Sequence, residues 1–385
     1  MLTVDELLAA ARSQSGLDDF GDDYFRLGLE KLLAAAHAEV TLSPAGAAAL
    51  RGRAITYLVN RLEIEDWYRR HPEINEEEVV APVFGLGLPR TGSTVLQCLM
   101  AEDPAVRSLR TWESEKPCPP PETQTQDNDP RIVAMEAAQD GFAELARKAP
   151  EILTMLPLQT VRDPTECQDL MGLTSRGQGF VATMLFSYLY WQINSDMEPA
   201  YRYHKRALKL LQWRCPPKRW RLKSPVHMFN LPALVAVYPD ARFVVTHRDV
   251  AESIPSMAAL VAAMGKLFLE NLDTRRLGAS IAEFWRMGLE RMLAFRELDG
   301  SKRFFDIGFR RAQADPIGVV RELYAWLGEP FTPEYERRMT AWRQAHTRSR
   351  ELGAGRDMER FGLMPDALRR TFSDYLDRYR AYIEG

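Results

Sequence analysis

The chain of 385 residues lacks several features that define large classes of protein. It has four cysteines, at positions 98, 118, 167 and 215, whose wide and irregular spacing contains no CxxC pair. Neither a disulfide framework nor a cysteine metal site is therefore expected. The six histidines form no HExxH motif, so we expect no bound metal.

An excess of charge of one sign is also missing. Fifty basic residues against 53 acidic ones leave a net charge of −3, so no nucleic-acid partner is expected and any anion site must be local. Apolar stretches such as 231–238 are too short to span a bilayer. The start of the chain carries Asp5 and Glu6 and lacks the basic segment of a signal peptide. We expect a cytoplasmic protein without integral membrane contact.

Strand-like and helix-like segments alternate in the middle of the chain, between helix-rich ends. Strands are predicted at 79–84, 220–223, 242–246 and 303–307. The segments between them have helical periodicity, and this alternation is typical of a parallel sheet covered by helices. The pattern therefore predicts an α/β fold, and ligands are expected at the carboxyl ends of its strands.

The most informative segment is Gly85-Leu86-Gly87-Leu88-Pro89-Arg90-Thr91-Gly92-Ser93-Thr94. It follows an apolar strand and opens a helix, so backbone N–H groups and the positive end of a helix dipole suit a phosphate or sulfate there. The spacing Gly87-x-x-x-x-Gly92 is that of a P-loop, but Ser93 stands where the Walker lysine belongs. The loop therefore indicates a nucleotide with an anionic 5′ end that is not used as ATP or GTP.

A second set of polar residues follows the strand at 242–246. Arg248 comes at the strand's carboxyl end, and Ser256 lies about two helical turns further on. A guanidinium in this position can bind a phosphate through paired hydrogen bonds. Alternatively, Arg248 and Asp249 form a solvated ion pair and Ser256 is an ordinary helix residue.

Together these segments resemble the sulfotransferases that use 3′-phosphoadenosine-5′-phosphosulfate (PAPS), in particular the bacterial branch with a GLPRTG(S/T)T loop. Residues 220–227 and Phe361-Gly362-Leu363 also match, whereas Val250 departs from the usual proline. The resemblance implies a P-loop-like fold in which Arg248 and Ser256 bind the 3′-phosphate. It implies a 5′-phosphosulfate loop made of Leu88, Pro89, Arg90, Thr91, Gly92, Ser93 and Thr94.

The resemblance also implies a division of one sulfotransferase domain into four parts. These are a helical N-terminal region (1–78), the 5′-phosphosulfate loop with a proline-rich lid (79–130), a helical acceptor-binding insertion (131–215), and a 3′-phosphate-binding part with a helical C-terminus (216–385). Within the insertion, Tyr188, Tyr190, Trp191 and Trp213 are expected to line the acceptor pocket, although an aromatic stripe at helical spacing also fits an ordinary core.

The implied reaction transfers a sulfonate from PAPS to a hydroxyl of a small molecule, lipid or glycan. Arg90 and Lys223 are expected to stabilise the charge that develops on the departing adenosine 3′,5′-bisphosphate, so no metal is needed. Three residues are candidates for the base that takes the acceptor's proton: His227, Glu113 and, third, Glu166.

Two other functions fit the same residues. A kinase-like P-loop enzyme would transfer phosphate from ATP, with Asp249 on magnesium, but the missing Walker lysine argues against it. A catalytically silent module would bind adenosine 3′,5′-bisphosphate without turnover. The combination of Arg90, Lys223 and His227 argues against that second alternative.

Overall fold

Five parallel strands form one sheet in the computed structural model, which describes residues 2–146, 151–155, 160–177, 184–217, 219–346 and 358–385. The strands are β1 (Val83–Gly87), β2 (Arg107–Ser108), β3 (Trp220–Lys223), β4 (Arg242–His247) and β5 (Phe304–Gly308), and they are arranged in the order β2-β3-β1-β4-β5. The predicted α/β fold is confirmed. β1 begins later than the sequence indicated, and the two-residue strand β2 was not predicted.

Helices surround this sheet. They are α1 (Val4–Ser15), α2 (Tyr24–Glu39), α3 (Pro44–Arg70), α4 (Ser93–Ala101), α5 (Thr111–Glu115), α6 (Pro130–Ala146), α7 (Glu151–Met155), α8 (Gln168–Gly172), α9 (Phe186–Asn194), α10 (Glu198–Gln212), α11 (Leu231–Val237), α12 (Val250–Phe268), α13 (Thr274–Asp299), α14 (Phe309–Ala314), α15 (Pro316–Leu327), α16 (Pro333–Ala345), α17 (Pro365–Thr371), α18 (Ser373–Arg378) and α19 (Arg380–Glu384). Short 3₁₀ helices span Pro72–Glu76, Pro225–Phe229 and Glu359–Phe361. Parts of the expected insertion at 131–215, namely 147–150, 156–159 and 178–183, lie outside the described residues.

The two faces of the sheet belong to separate hydrophobic clusters, because successive side chains of a strand point to opposite faces. Val83 packs with α4, α15 and α16 on one face, whereas Phe84 and Leu86 pack with α10, α12 and α13 on the other. A third cluster joins α1, α2 and α3 around Leu7 and Phe25. The sheet is therefore buried on both sides, and ligands have access at its edges and strand ends.

Two glycines let β1 lie close to both of its neighbours. A Cβ on Gly85 would lie 2.9 Å from Lys223 Cγ on β3, and a Cβ on Gly87 would lie 2.5 Å from the Thr246 carbonyl oxygen on β4. Gly87 also has a φ of +113°, which L side chains rarely adopt. The carboxyl ends of β1, β3 and β4 consequently meet at one edge of the sheet.

One helix among the described residues, α12, is long and apolar enough to cross a membrane by length and composition alone. This helix has 19 residues and is longer than apolar stretches such as 231–238, which were judged too short to span a bilayer. Of its most apolar window, 78% is buried inside the protein, where the helix packs against α3, α13 and α17. Its apolar composition is accounted for by this place in the core.

We predict that Gly87→Ala destabilises the protein far more than Gly16→Ala. Both residues have a positive φ, but a Cβ on Gly16 meets no atom within 4 Å. Gly16→Ala should therefore cost only the backbone strain, about 1 kcal/mol, while Gly87→Ala adds a backbone clash and should cost about 2–4 kcal/mol. Urea unfolding measures both values, and equal losses would contradict the tight packing of β1 on β4.

Candidate active site

The loop between β1 and α4 is fastened to the sheet by a buried threonine. Thr91 Oγ1 donates to the Leu88 carbonyl oxygen at 2.7 Å and lies 2.6 Å from Thr246 Oγ1 on β4. Leu88 itself is buried in the core. Within the predicted 5′-phosphosulfate loop, Leu88 and Thr91 are therefore placed to offer a ligand backbone groups and not their side chains.

The start of α4 has backbone N–H groups available for an anion. Its first internal hydrogen bonds are donated by Val95 and Leu96 to the Gly92 carbonyl oxygen. Among the described residues, no acceptor is found for the N–H groups of Gly92, Ser93 and Thr94. This geometry fits a phosphate or sulfate group, because the helix dipole adds to the hydrogen bonds. Pro89 precedes Arg90, whose φ of +69° bends the loop.

Arg90, Arg248 and Ser256 are brought together beside this loop. Arg90 Nε donates to Ser256 Oγ at 3.1 Å, and Arg248 Nη1 donates to the Arg90 carbonyl oxygen at 2.8 Å. The Arg248 guanidinium lies 4.1 Å above the ring of Phe309 and donates from Nε and Nη2 to Glu252. Arg248 and Ser256, which were predicted to bind a 3′-phosphate, thus both contact Arg90.

Asp249 does not pair with Arg248, as the alternative interpretation had it. Its Oδ1 accepts from the Ala251 N–H at 2.9 Å and caps α12, and its Oδ2 accepts from Arg369 at 2.8 Å. Both oxygens are in use, which disfavours Asp249 as a magnesium ligand. The described residues also contain no group of three or more potential metal ligands among His, Cys, Asp and Glu side chains.

Lys223 is the last residue of β3 and forms an ion pair with Glu166. Lys223 Nζ lies 2.5 Å from Glu166 Oε1, while Glu166 Oε2 accepts from Gln168 Nε2 at 2.7 Å. The segment around Glu166 is held at this edge by two further bonds. The Cys167 N–H donates to the Lys223 carbonyl oxygen, and Gln97 Nε2 on α4 donates to the Thr165 carbonyl oxygen. The Glu166 side chain is 30% exposed, against 4% for Lys223, so the carboxylate faces the open edge.

His227 lies inside the core. Its Nδ1 is 3.0 Å from the Tyr201 hydroxyl, and its ring packs edge-on against Phe84 at 5.2 Å. Burial lowers the pKa of His227 to about 3, so the ring is neutral at pH 7. Phe84 shares its core cluster with Leu222, and successive strand residues alternate faces. His227 therefore packs on the face of the sheet opposite to the Lys223 side chain.

Glu113 is also enclosed, in an ion pair with Arg107. Its second oxygen accepts from the Arg110 N–H at 3.2 Å. Arg107 pairs with Trp220 at the start of β3, three residues or ~10 Å before Lys223 along the strand. The oxygens of Glu113 and of Glu166 all have protein partners, but the Glu113 side chain is 0% exposed against 30% for Glu166. Of the three candidate bases only Glu166 contacts Lys223 in the described structure.

A cavity of about 400 Å³ lies between α2, α3, α8 and α9. Of the four aromatic residues expected at the acceptor pocket, Tyr188 lines it. Tyr190 packs against Phe284, and Trp191 lies under the Arg176 guanidinium. Trp213 packs against Trp67 and His71. These three rings do not line this cavity, and their place in an acceptor pocket stays a prediction.

A partly buried polar cluster at the cavity wall was not predicted from the sequence. Arg53 Nη1 lies 2.6 Å from Glu115 Oε2 and 3.7 Å from Asp169 Oδ1, and the Tyr57 hydroxyl donates to Asp169 at 3.1 Å. Ser114 Oγ donates to the other Asp169 oxygen at 3.3 Å. Burial, with the nearby charge of Glu115, raises the pKa of Asp169 to about 6. These residues come from α3, α5 and α8, so no local motif marks them.

The family model described as the sulfotransferase family matches residues 82–333, and the chain belongs to this family. The structure is similar to that of sulfotransferase STF9 from Mycobacterium avium, with a TM-score of 0.88 and 32% identity over 100% of this chain and 98% of that one. Sulfotransferase STF1 from Mycobacterium tuberculosis H37Rv gives a TM-score of 0.84 at 31% identity, covering 97% and 99% of the two chains. The enzyme class expected from the sequence is thereby confirmed.

A curated relative is similar over a shorter stretch. The omega-hydroxy-beta-dihydromenaquinone-9 sulfotransferase Stf3 of Mycobacterium bovis is 27% identical over 113 residues. The matched stretch covers 28% of this chain and 28% of the relative. This similarity is consistent with the family.

We predict that Asp169→Asn changes how stability depends on pH. The pKa of Asp169 is about 6 when folded and about 3.9 when unfolded, so the folded state binds more protons between these values. This group therefore lowers the free energy of unfolding of the wild type as pH rises from about 4 to about 6. The variant lacks that loss, and its stability relative to the wild type should increase over the same interval.

Urea unfolding at several pH values between 4 and 7 tests this sign. Asp66→Asn is the matched control, because hydrogen bonds from Arg69 and Arg70 lower the pKa of Asp66. Its stability relative to the wild type should stay nearly constant above about pH 5, because a carboxyl group with a lowered pKa is ionised in both the folded and the unfolded state there. A constant difference between Asp169→Asn and the wild type would show that Asp169 does not titrate in this range.

Proposed function

We propose that this protein transfers the sulfonate of PAPS to the hydroxyl of a small-molecule or lipid acceptor. The observation that carries the proposal is the presence of two anion sites at one sheet edge. One is the N-terminus of α4, with the N–H groups of Gly92, Ser93 and Thr94, and the other is the group of Arg90, Arg248 and Ser256. A nucleotide with phosphates on both its 5′ and 3′ positions matches two such sites, and membership of the sulfotransferase family supports the assignment.

The 3′-phosphate is proposed to take the place of a protein carboxylate. Glu252 accepts from two nitrogens of Arg248 without a ligand, and a phosphate oxygen pair can accept from the same two nitrogens. The bond from Arg248 to the Arg90 carbonyl oxygen and its position over Phe309 hold the guanidinium for this exchange. Ser256 adds a hydroxyl from the next turns of α12.

The transfer step is proposed to use the Lys223–Glu166 pair. The acceptor oxygen attacks sulfur, and the bond from sulfur to the bridging phosphate oxygen breaks. Lys223 Nζ stabilises the charge left on that oxygen. Lys223 leaves the Glu166 carboxylate when it contacts the donor. The carboxylate then takes the acceptor's proton. Glu166 is preferred over His227 and Glu113 as the base because it contacts Lys223 and is partly exposed.

The acceptor class is proposed from the cavity and from the relative. The relative's name gives its acceptor as a hydroxylated dihydromenaquinone, which is lipid-like. The cavity beside α8 has walls that are mainly apolar. An alcohol with an apolar body suits such walls.

Replacing Arg248 by Ala should remove most of the preference for adenosine 3′,5′-bisphosphate over 5′-AMP. The lost charge-assisted hydrogen bonds are worth about 1.5–3 kcal/mol, and 5′-AMP binding should change little because it has no 3′-phosphate. Calorimetry without magnesium measures both nucleotides. Equal affinity of the wild-type protein for the two would rule out the 3′-phosphate site.

Glu166→Gln should lower kcat for an alcohol acceptor by about 10²–10⁴-fold, the usual contribution of a positioned base. The loss should be smaller for an acidic phenol, which ionises more easily. Glu113→Gln is the matched control. It should cost about 3–5 kcal/mol of stability by breaking the buried pair with Arg107, yet leave kcat of the folded protein close to the wild-type value.

Initial rates with both acceptors, combined with urea unfolding, separate these effects. Loss of kcat on the alcohol in Glu113→Gln, with Glu166→Gln within tenfold of the wild type, would overturn the assignment of Glu166.

A further inference from the structure

We infer that the cavity between α2, α3, α8 and α9 binds the body of the acceptor and selects a neutral, apolar alcohol. The inference rests on the proposed transferase function and specifies its substrate class. The cavity measures about 400 Å³, which lies within the range of small-molecule sites.

The position of the cavity relative to the Lys223–Glu166 pair follows from α8. Cys167, directly before this helix, donates its N–H to the Lys223 carbonyl oxygen, and Gly172 at the end of the helix lines the cavity. The helix spans five residues, or ~7 Å. Asp169 on its first turn belongs to the polar cluster at the cavity wall. The cavity therefore begins about one and a half helical turns from Cys167, which follows Glu166 in the chain and bonds to the Lys223 backbone.

The walls of the cavity supply no polar partner over most of their area. They are formed mainly by side chains from α2, α3 and the end of α12, including Leu29, Leu32, Leu50, Ala54 and Phe268. A sugar would leave several hydroxyl groups without hydrogen-bond partners against these side chains, which is costly. A hydrocarbon body has no hydrogen bonds to water to lose on entering the cavity, and the burial of its apolar surface is favourable.

The polar part of the wall selects against negative charge. Arg53 is the one cation among the described lining residues, and it is already paired with Glu115 and close to Asp169. Its guanidinium also lies 5.4 Å from the centre of the Tyr57 ring. An anionic body would face two carboxylates for one arginine there, whereas a neutral body brings no additional charge to this wall.

The charge preference is tested by calorimetry on the protein saturated with adenosine 3′,5′-bisphosphate. The probes are 1-octanol, 8-hydroxyoctanoate and maltose. We expect 1-octanol to bind, 8-hydroxyoctanoate to bind at least about tenfold more weakly because its carboxylate enters apolar walls, and maltose not to bind measurably. Equal affinity for 1-octanol and 8-hydroxyoctanoate, or tighter binding of maltose, would overturn the selection for neutral apolar alcohols.

The location of the acceptor site is tested by substitutions on α3 that place larger side chains in the cavity. Ala49→Phe places a ring at a lining position, and Ala48→Phe places the same ring at the exposed neighbouring position. Gly52→Leu is a second filling variant, since Gly52 lines the cavity and its Cβ would meet no atom within 4 Å. Both filling variants should weaken 1-octanol binding by about tenfold or more, with Ala48→Phe unchanged and thermal unfolding of all three close to the wild type.

Unchanged 1-octanol binding in folded Gly52→Leu and Ala49→Phe would show that the cavity is not the acceptor site. A separate assay of sulfonate transfer from PAPS to 1-octanol distinguishes this failure from failure of the proposed function. If both filling variants still transfer sulfonate to 1-octanol, the assignment of the cavity as the acceptor site is wrong, while the transferase function stands. If the wild type binds 1-octanol but transfers no sulfonate to it, and the filling variants do not bind 1-octanol, the cavity is the binding site and the proposed transferase step is wrong.

Discussion

The close approach of β1 to β3 and β4 is the constraint on which the rest of the site depends. Gly85 and Gly87 leave no space for a Cβ against Lys223 and Thr246, and Thr91 binds the following loop to Thr246. Because the strands are parallel, the residues after each of them are delivered to the same edge. Backbone packing thus brings the loop after β1, Lys223 at the end of β3 and Arg248 after β4 to one edge of the sheet.

Each cation at this edge already has a protein partner without a nucleotide. Lys223 pairs with Glu166, Arg248 with Glu252, and Arg90 donates to Ser256 and to the Met155 carbonyl oxygen. Partners of this kind are needed because an uncompensated charge near the interior is strongly destabilising. Under the proposed function, nucleotide binding would therefore exchange hydrogen bonds more than create them. A ligand with anionic groups at both positions would make the exchange at every one of these cations, which would favour a bisphosphate over a monophosphate.

The parts of the site that the sequence predicted are local in the chain. The loop at 88–94 and the Arg248–Ser256 pair each lie within one strand-to-helix connection, where spacing determines geometry. The partners of His227 and Glu113 are set by packing, and spacing gave no sign that both would be enclosed. Glu166 reaches Lys223 because the segment 165–167 crosses the end of β3 and is held by Gln97, a contact between residues far apart in sequence. β2 has two residues, too few to show a periodicity.

The cavity proposed for the acceptor was also not predicted, because residues far apart in sequence form it. Of the aromatic stripe, Tyr190, Trp191 and Trp213 pack against other side chains away from this cavity, whereas the cavity is lined by residues from six helices that are separate in sequence. α8 lies between the cavity and the Lys223 backbone, and both ends of this helix are held by contacts. Cys167 bonds to β3, and a Cβ on Gly172 would lie 2.3 Å from Tyr57 Cζ on α3. The spacing between the cavity and the Lys223 backbone is therefore set by one short helix. Under the proposed function the acceptor would carry its hydroxyl at the end of its apolar body that faces this helix.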